Sequence, residues 1–214
     1  MDERTTGLIL RTRLLTETSL IVQWLTPDLG RIATVAKGAR RPKSPFRGKL
    51  DLFYEADFSF ARSRRSDLHN LREVVLRETH PTLRENLGWI QQASYFTALV
   101  EQTTETETPI PAVHQLVRAA LAELPKMRPV ARTILAFEFK LLEELGLSPD
   151  LADSSLSEGS RHLAQTMTTG DWTLIGRLKL SEAQTRELRQ FLHGFMIYHL
   201  ERIPPSRTAA LNAE

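Results

Sequence analysis

The chain has 214 residues, of which 41% are hydrophobic and 25% charged, with a formal net charge of +2. That length holds one large domain or two small ones, and the mix is that of a globular protein rather than a disordered one. With no cysteine in the chain, disulfides, thiolate zinc sites and cysteine nucleophiles are excluded, and no apolar run approaches the roughly 20 residues that span a bilayer.

The first ten residues, MDERTTGLIL, carry acids where a secretory signal has a basic stretch, so a cytoplasmic location is the expectation. Gly7–Leu15 alternates apolar Leu8, Leu10 and Leu14 with Arg11 and Arg13. Ser19–Thr26 is β-rich and stops at Pro27-Asp28-Leu29-Gly30, a turn with proline where it presets φ. Arg31–Lys37 resumes with Ile32, Thr34 and Val35. Leu50–Phe60 shows the clearest period-2 alternation, with apolar even positions and polar odd ones, so one face is buried and the other wet. Phe53 stands alone on the wet face. Leu68–Thr79, with Val74-Val75-Leu76, is a fifth strand. Five short strands with Gly and Pro punctuation argue for a small sandwich or barrel, and a five-stranded Greek-key barrel is the OB-fold.

From Pro81 the periodicity becomes helical. Leu87–Gln102 and Ala112–Leu124 place apolar residues at spacings of three and four. Pro129 opens a third helix from its first turn, ending at Gly146. Residues 148–172 lose the pattern and hold five serines between Ser148 and Ser160, an irregular insert with one short helix near Arg161–Thr166. Ser181 with Gln184 forms a capping box for a last helix that runs to about Ile203, stopped by Pro204-Pro205. The residues after it read as loose. The class is therefore α+β: an OB-type barrel over residues 1–80, then an all-α domain over residues 81–214.

Charge is unevenly shared. Residues 1–80 carry 15 Lys+Arg against 10 Asp+Glu, and residues 81–214 carry 13 against 16. The excess concentrates between Lys37 and Lys49, where Lys37, Arg40, Arg41, Lys43, Arg47 and Lys49 occur with no acid between Asp28 and Asp51. Gly38, Pro42, Pro45 and Gly48 make this stretch a loop. Two readings stand side by side: a cationic loop that follows a phosphate backbone, and a solvated loop that keeps the protein soluble. Under the first, Phe46, and Trp24 or Phe53 if exposed, stack on unpaired bases. Arg62, Arg64 and Arg65 extend the same surface or form a charged hairpin tip. Signals for bond chemistry are missing: there is no phosphate loop, no dinucleotide glycine fingerprint, no His-Glu-x-x-His, and the six histidines have no partner motif. The sequence calls for no cofactor.

The order of these features resembles the DNA repair protein RecO family. The resemblance rests on Thr6–Arg13, Glu17–Val22, the Leu25–Gly30 turn, Val35–Arg41, Leu50–Tyr54, Leu71–Glu78 and Phe137–Pro149. It covers nearly the whole chain, and Val35–Arg41 and Leu141–Pro149 are its most specific pieces. Many members hold zinc on four cysteines after the last of these. The matching stretch here, Leu151–Ser160, has none. The resemblance implies a cytoplasmic, nucleoid-associated protein that binds single- and double-stranded DNA and anneals complementary strands without ATP. It also implies that the protein acts with RecR, and sometimes with the tail of single-strand-binding protein, to load recombinase. It places DNA on the Lys37–Lys49 loop. The alternatives are a generic OB-fold binder of single-stranded RNA with a helical docking module, and an enzyme whose site is assembled from scattered residues.

Overall fold

The computed structural model of the protein describes residues 2–213. They form two compact units. The first comprises the described residues of Met1–Pro81 with Val100–Arg118, the second those of Thr82–Leu99 with Ala119–Glu214.

The first unit is a closed barrel of five strands, β1 (Asp2–Leu14), β2 (Leu20–Thr26), β3 (Gly30–Ala36), β4 (Glu55–Ala61) and β5 (Leu68–Glu78), in the order β1-β2-β3-β5-β4. Only the β3–β5 pair is parallel; the other four are antiparallel. This Greek-key closure is the OB arrangement and leaves no open sheet edge. Inward-facing Ile9, Val22, Trp24, Ile32, Phe58 and Phe60 fill it. Trp24 stacks on Phe58 at 4.0 Å between ring centres, and its indole N–H donates to Thr34 Oγ1 at 2.8 Å, so a large ring is buried with its polar atom satisfied. Thr104–Thr108 lies along β3 in the same unit: Arg31 donates twice to the Thr104 carbonyl, and Glu107 N donates to Arg31 O at 2.9 Å.

The clear alternation from residue 50 belongs to two different structures. Only Glu55–Ala61 is strand. Before it the chain turns, with Phe53 at φ +68, and Phe53 is 3% exposed rather than wet. Its N–H donates to Ile9 O, and Ile9 N to Tyr54 O, so the turn is stitched across the bulge in β1 and rolls the ring inward.

The helices are α1 (Leu87–Thr103), α2 (Pro111–Glu123), α3 (Ala131–Glu144), α4 (Glu158–Thr169), α5 (Trp172–Arg177), α6 (Glu182–Leu200) and α7 (Ser206–Leu211). In the second unit α3 is central. Thr133–Phe139 are all buried, and α4, α5, α6 and α7 pack around it. A helix apolar on all sides must be enclosed on all sides. Pro129 lies one residue before the N-cap Val130, outside the first turn, and its ring covers Gly88, where an added Cβ would stand 2.8 Å from it. The capping box of Ser181 and Gln184 is present, but α6 ends at Leu200, with Glu201 turned to φ +62.

Two segments are more ordered than their composition suggests. Within the serine-rich stretch, α4 spans Glu158–Thr169, with Ser157 as its cap. The Glu187 carboxylate accepts from the Ser157 N–H, the Ser157 hydroxyl and the Ser160 hydroxyl. Those bonds, Ser160 first, hold it below its usual pKa. Residues 206–213 are not loose. They form α7, whose Ala210 and Leu211 are buried, and Arg207 makes a two-pronged bond to buried Glu138 at 2.7 and 2.8 Å. Tyr95 donates to the same carboxylate at 2.6 Å.

Candidate nucleic-acid interface

The segment from Lys37 to Tyr54 connects β3 to β4. It is a chain of tight turns: Ala39 N to Ala36 O, Arg41 N to Gly38 O, Ser44 N to Arg41 O, Arg47 N to Ser44 O and Lys49 N to Phe46 O, all at 3.0–3.3 Å. Gly38 and Gly48 take the positive φ, +67 and +71, that such turns demand. Ala39 and Phe46 plug the loop into the barrel core. The β1–β2 turn holds its other side: Arg40 N donates to Thr18 O, Gly38 N to Ser19 Oγ, and the Arg40 guanidinium to Glu17 O at 2.9 Å.

Apolar positions face in, so charged positions face out. Lys37, Arg40, Arg41, Lys43 and Arg47 are exposed. Lys49 is different: it is half-buried, and its ammonium donates to Val74 O at 3.1 Å, bracing the loop against β5. Among the described residues none of the six pairs with a carboxylate, whereas the barrel's other arginines often do: Arg4 with Glu73, Arg11 with Glu101, Arg72 with Asp2, Arg77 with Asp57. The loop is where positive charge is left over.

The second predicted cluster divides. Arg62 lies between Glu3 and Glu107, 2.7 Å from each, and the hydrogen bond it donates to Glu3 leads in raising its pKa. Glu107 also meets His69 Nε2 at 2.9 Å. Arg62 therefore has little charge to offer a phosphate. Arg64 and Arg65 are exposed, and neither forms an ion pair among the described residues.

The rings proposed to stack on bases do not reach solvent. Trp24 is fully buried, Phe46 is 7% exposed, and Phe53 is rolled inward. All three serve packing. What sequence reasoning missed is the β1–β2 turn, which forms the rim of the site but carries no basic signal. A groove of about 420 Å³ lies between Leu15, Thr16, Thr18 and Lys37, Gly38, Arg41. Across Arg41 a second, of about 450 Å³, is bordered by Leu20, Arg40, Phe46 and Arg47.

The helical unit has its own concavity, a groove of about 1130 Å³ with a floor of Leu178, Leu180 and Ile203 and a rim that includes Lys179, Arg186 and Arg189. Its residues come from separate elements between positions 130 and 211, so no local motif announced it. Among the described residues no group of three His, Asp or Glu could hold a metal ion, and no helix is long and apolar enough to cross a membrane.

Comparison with known proteins agrees with this architecture. Residues 1–80 match the family described as Recombination protein O N terminal, and residues 85–158 that described as Recombination protein O C terminal. The chain is 34% identical to the DNA repair protein RecO of Alkaliphilus metalliredigens, over 94% of each chain. It is 34% identical to that of Rhodopirellula baltica over 79% of this chain and 62% of the relative, and 34% identical to that of Idiomarina loihiensis over 63% and 56%. The chain thus spans about six tenths of the length of those two relatives. With both halves matched in order, this chain belongs to the RecO family of DNA repair and recombination proteins.

Proposed function

We propose that this protein is a recombination mediator without bond chemistry of its own. It binds single- and double-stranded DNA through the Lys37–Lys49 loop, anneals complementary strands without nucleotide hydrolysis, and helps load recombinase onto protein-coated single strands. The observation that carries this reading is the loop itself: five exposed cations with no carboxylate partner among the described residues, on turns anchored by Ala39 and Phe46. Each phosphate neutralised releases counterions. Two strands gathered on one cationic surface repel each other less, and contacts made to phosphates leave base edges free to pair. Such contacts also accept one strand or two. Arg64 and Arg65 extend the surface, Arg40 contributes from its tie to the β1–β2 turn, and Lys49 and Arg62 act as braces.

Family membership supports RecR and single-strand-binding protein as partners, and the cation-rimmed groove of the helical unit suits an acidic segment of one of them. The place of action is the cytoplasm, on the nucleoid.

The test is annealing of complementary strands coated with single-strand-binding protein, in EDTA and without nucleotide. The wild type is compared with an Arg41→Glu/Lys43→Glu/Arg47→Glu variant and with Arg62→Gln. Wild type anneals, the triple variant fails, and Arg62→Gln keeps most activity. The triple variant also flattens the dependence of log K on log salt by roughly 2, about 0.7 per lost contact on single strands. Tight binding without annealing would point to a generic single-strand binder, tested next on RNA. Unchanged affinity in the triple variant would move the site to Arg64 and Arg65.

A further inference from the structure

Trp24, Phe46 and Phe53, the rings expected to meet bases, are packed into the barrel, while the loop's exposed groups are suited to phosphates. Beside it, however, stand two exposed leucines. Leu14 and Leu15, where β1 gives way to the β1–β2 turn, are 64% and 45% exposed. They are held firmly. The N–H groups of Leu15 and Thr16 both donate to Ser19 O, at 3.0 and 3.3 Å, and Thr16 Oγ1 accepts from the N–H groups of Thr18 and Ser19. The same turn is bonded to the basic loop through Thr18 O and Ser19 Oγ. In the 420 Å³ groove between them, Leu15 and Val35 supply apolar wall, Thr16 and Thr18 supply hydroxyls, and Lys37 and Arg41 supply charge.

Phosphates engage the cations of this groove but not the apolar wall that Leu15 and Val35 give it. A nucleotide matches both halves of this groove, with an anionic phosphate on one side and a flat base with an apolar face on the other. Leucine is among the side chains that proteins press against unstacked bases. We propose that this groove, with Leu15 in its wall and exposed Leu14 next to it in the chain, forms a nucleobase subsite that holds one unpaired base of a single strand whose phosphate rests on Lys37 and Arg41. The proposal rests on the DNA-binding reading above. It adds a means of favouring unpaired strands, which phosphate contacts alone lack, and it puts the selective element on a turn that carries no charge excess.

The experiment compares binding of an oligothymidylate with an abasic oligonucleotide of the same length, which keeps the phosphates and lacks the bases. Wild type should prefer the oligothymidylate by roughly fivefold, the lower end of what a base contact with an aromatic ring gives. A Leu14→Ser/Leu15→Ser variant should bring that ratio close to one, with abasic affinity and salt dependence unchanged. Because both residues are exposed, the barrel should keep its melting temperature. Leu15→Phe, offering a larger face, should preserve or raise the ratio. A double variant that kept the wild-type preference would overturn the proposal, as would a wild type that bound both strands equally. If the leucines instead seat a second copy of the chain, the double variant would change sedimentation mass and leave the base preference intact, which also overturns it. Failure of the wild type to bind either strand would overturn the DNA-binding reading as well.

Discussion

Replacing Arg207 by Met should destabilise the helical unit by about 3–5 kcal/mol, the usual effect of removing one partner from a buried ion pair. The structure shows why the upper range applies. Glu138 is fully buried and accepts three hydrogen bonds, two from Arg207 and one from Tyr95. Burial pulls the Arg207 guanidinium down, but the bonds and charge of Glu138 outweigh it and leave its pKa raised. Burial, then the charge of Glu138, pushes the Tyr95 hydroxyl well above its usual pKa, so it stays a donor. In the variant the carboxylate keeps that single donor in a site closed to water. A domain's whole stability is about 5–15 kcal/mol, so a third or more is at stake. The groove should loosen too, since Arg207, Thr208 and Leu211 line it and α7 loses its charged tie. The assay is urea unfolding followed by circular dichroism, run as a double-mutant cycle with Glu138→Leu. The double variant should recover most of the loss, because an apolar pair of similar volume leaves no charge stranded. A loss below about 1 kcal/mol for Arg207→Met, or a double variant as unstable as the sum of the singles, would refute the claim that this pair fastens α7.

Two further outcomes follow from the geometry. Glu187 has its folded pKa lowered by bonds from Ser160 and then Ser157. A depressed carboxylate contributes stability that is present above its ordinary value of 4.5 and lost as pH falls through the lower folded value. Glu187→Gln should therefore lower the melting temperature at neutral pH and narrow the gap to wild type in acid, read from melts across that range. Gly30 and Gly48 both have positive φ, +68 and +71, but a Cβ at Gly30 would fall 2.2 Å from Thr108 O while one at Gly48 meets nothing within 4 Å. Gly48→Ala should cost about 1–2 kcal/mol, the price of a left-handed alanine. Gly30→Ala should cost clearly more in the same denaturant melts, because backbone must move.

The barrel and the long helices were legible because their signals are local. Period 2, period 3.6, turn prolines and the Ser181–Gln184 box each lie within a few residues of what they specify. The errors arose where the deciding partner is far along the chain. Alternation through residues 50–60 continues across a turn whose direction is set by the bulge at Ile9, so period 2 puts Phe53 on the wrong face. The serine-rich stretch reads as loose by composition, yet Glu187, 30 residues after Ser157, collects its hydroxyls and fixes the start of α4. The C-terminal segment is six residues of helix with no usable periodicity, and it stays in place through a carboxylate 69 residues earlier.

The interface shows the same division between local and distant causes. Charge can be counted in sequence, and counting found the Lys37–Lys49 loop. Availability of charge cannot be counted, because it depends on which carboxylates the fold brings near. Arg62 and Arg64 are two residues apart and look equivalent as letters. Closure of the barrel brings Glu3, 59 residues away, and Glu107, 45 residues away, onto Arg62 and leaves Arg64 in solvent. An exposed arginine with no acid beside it can exchange counterions for a phosphate at small structural expense, whereas Arg62 would first have to abandon two bonds of 2.7 Å. The aromatic residues fail as base contacts for a related reason. In a barrel this small, large rings are what fill the interior, so the residues most suited to stacking are the ones the fold consumes. On the proposed reading, contact with bases falls to side chains the core can spare, and on the β1–β2 turn the exposed apolar ones are Leu14 and Leu15.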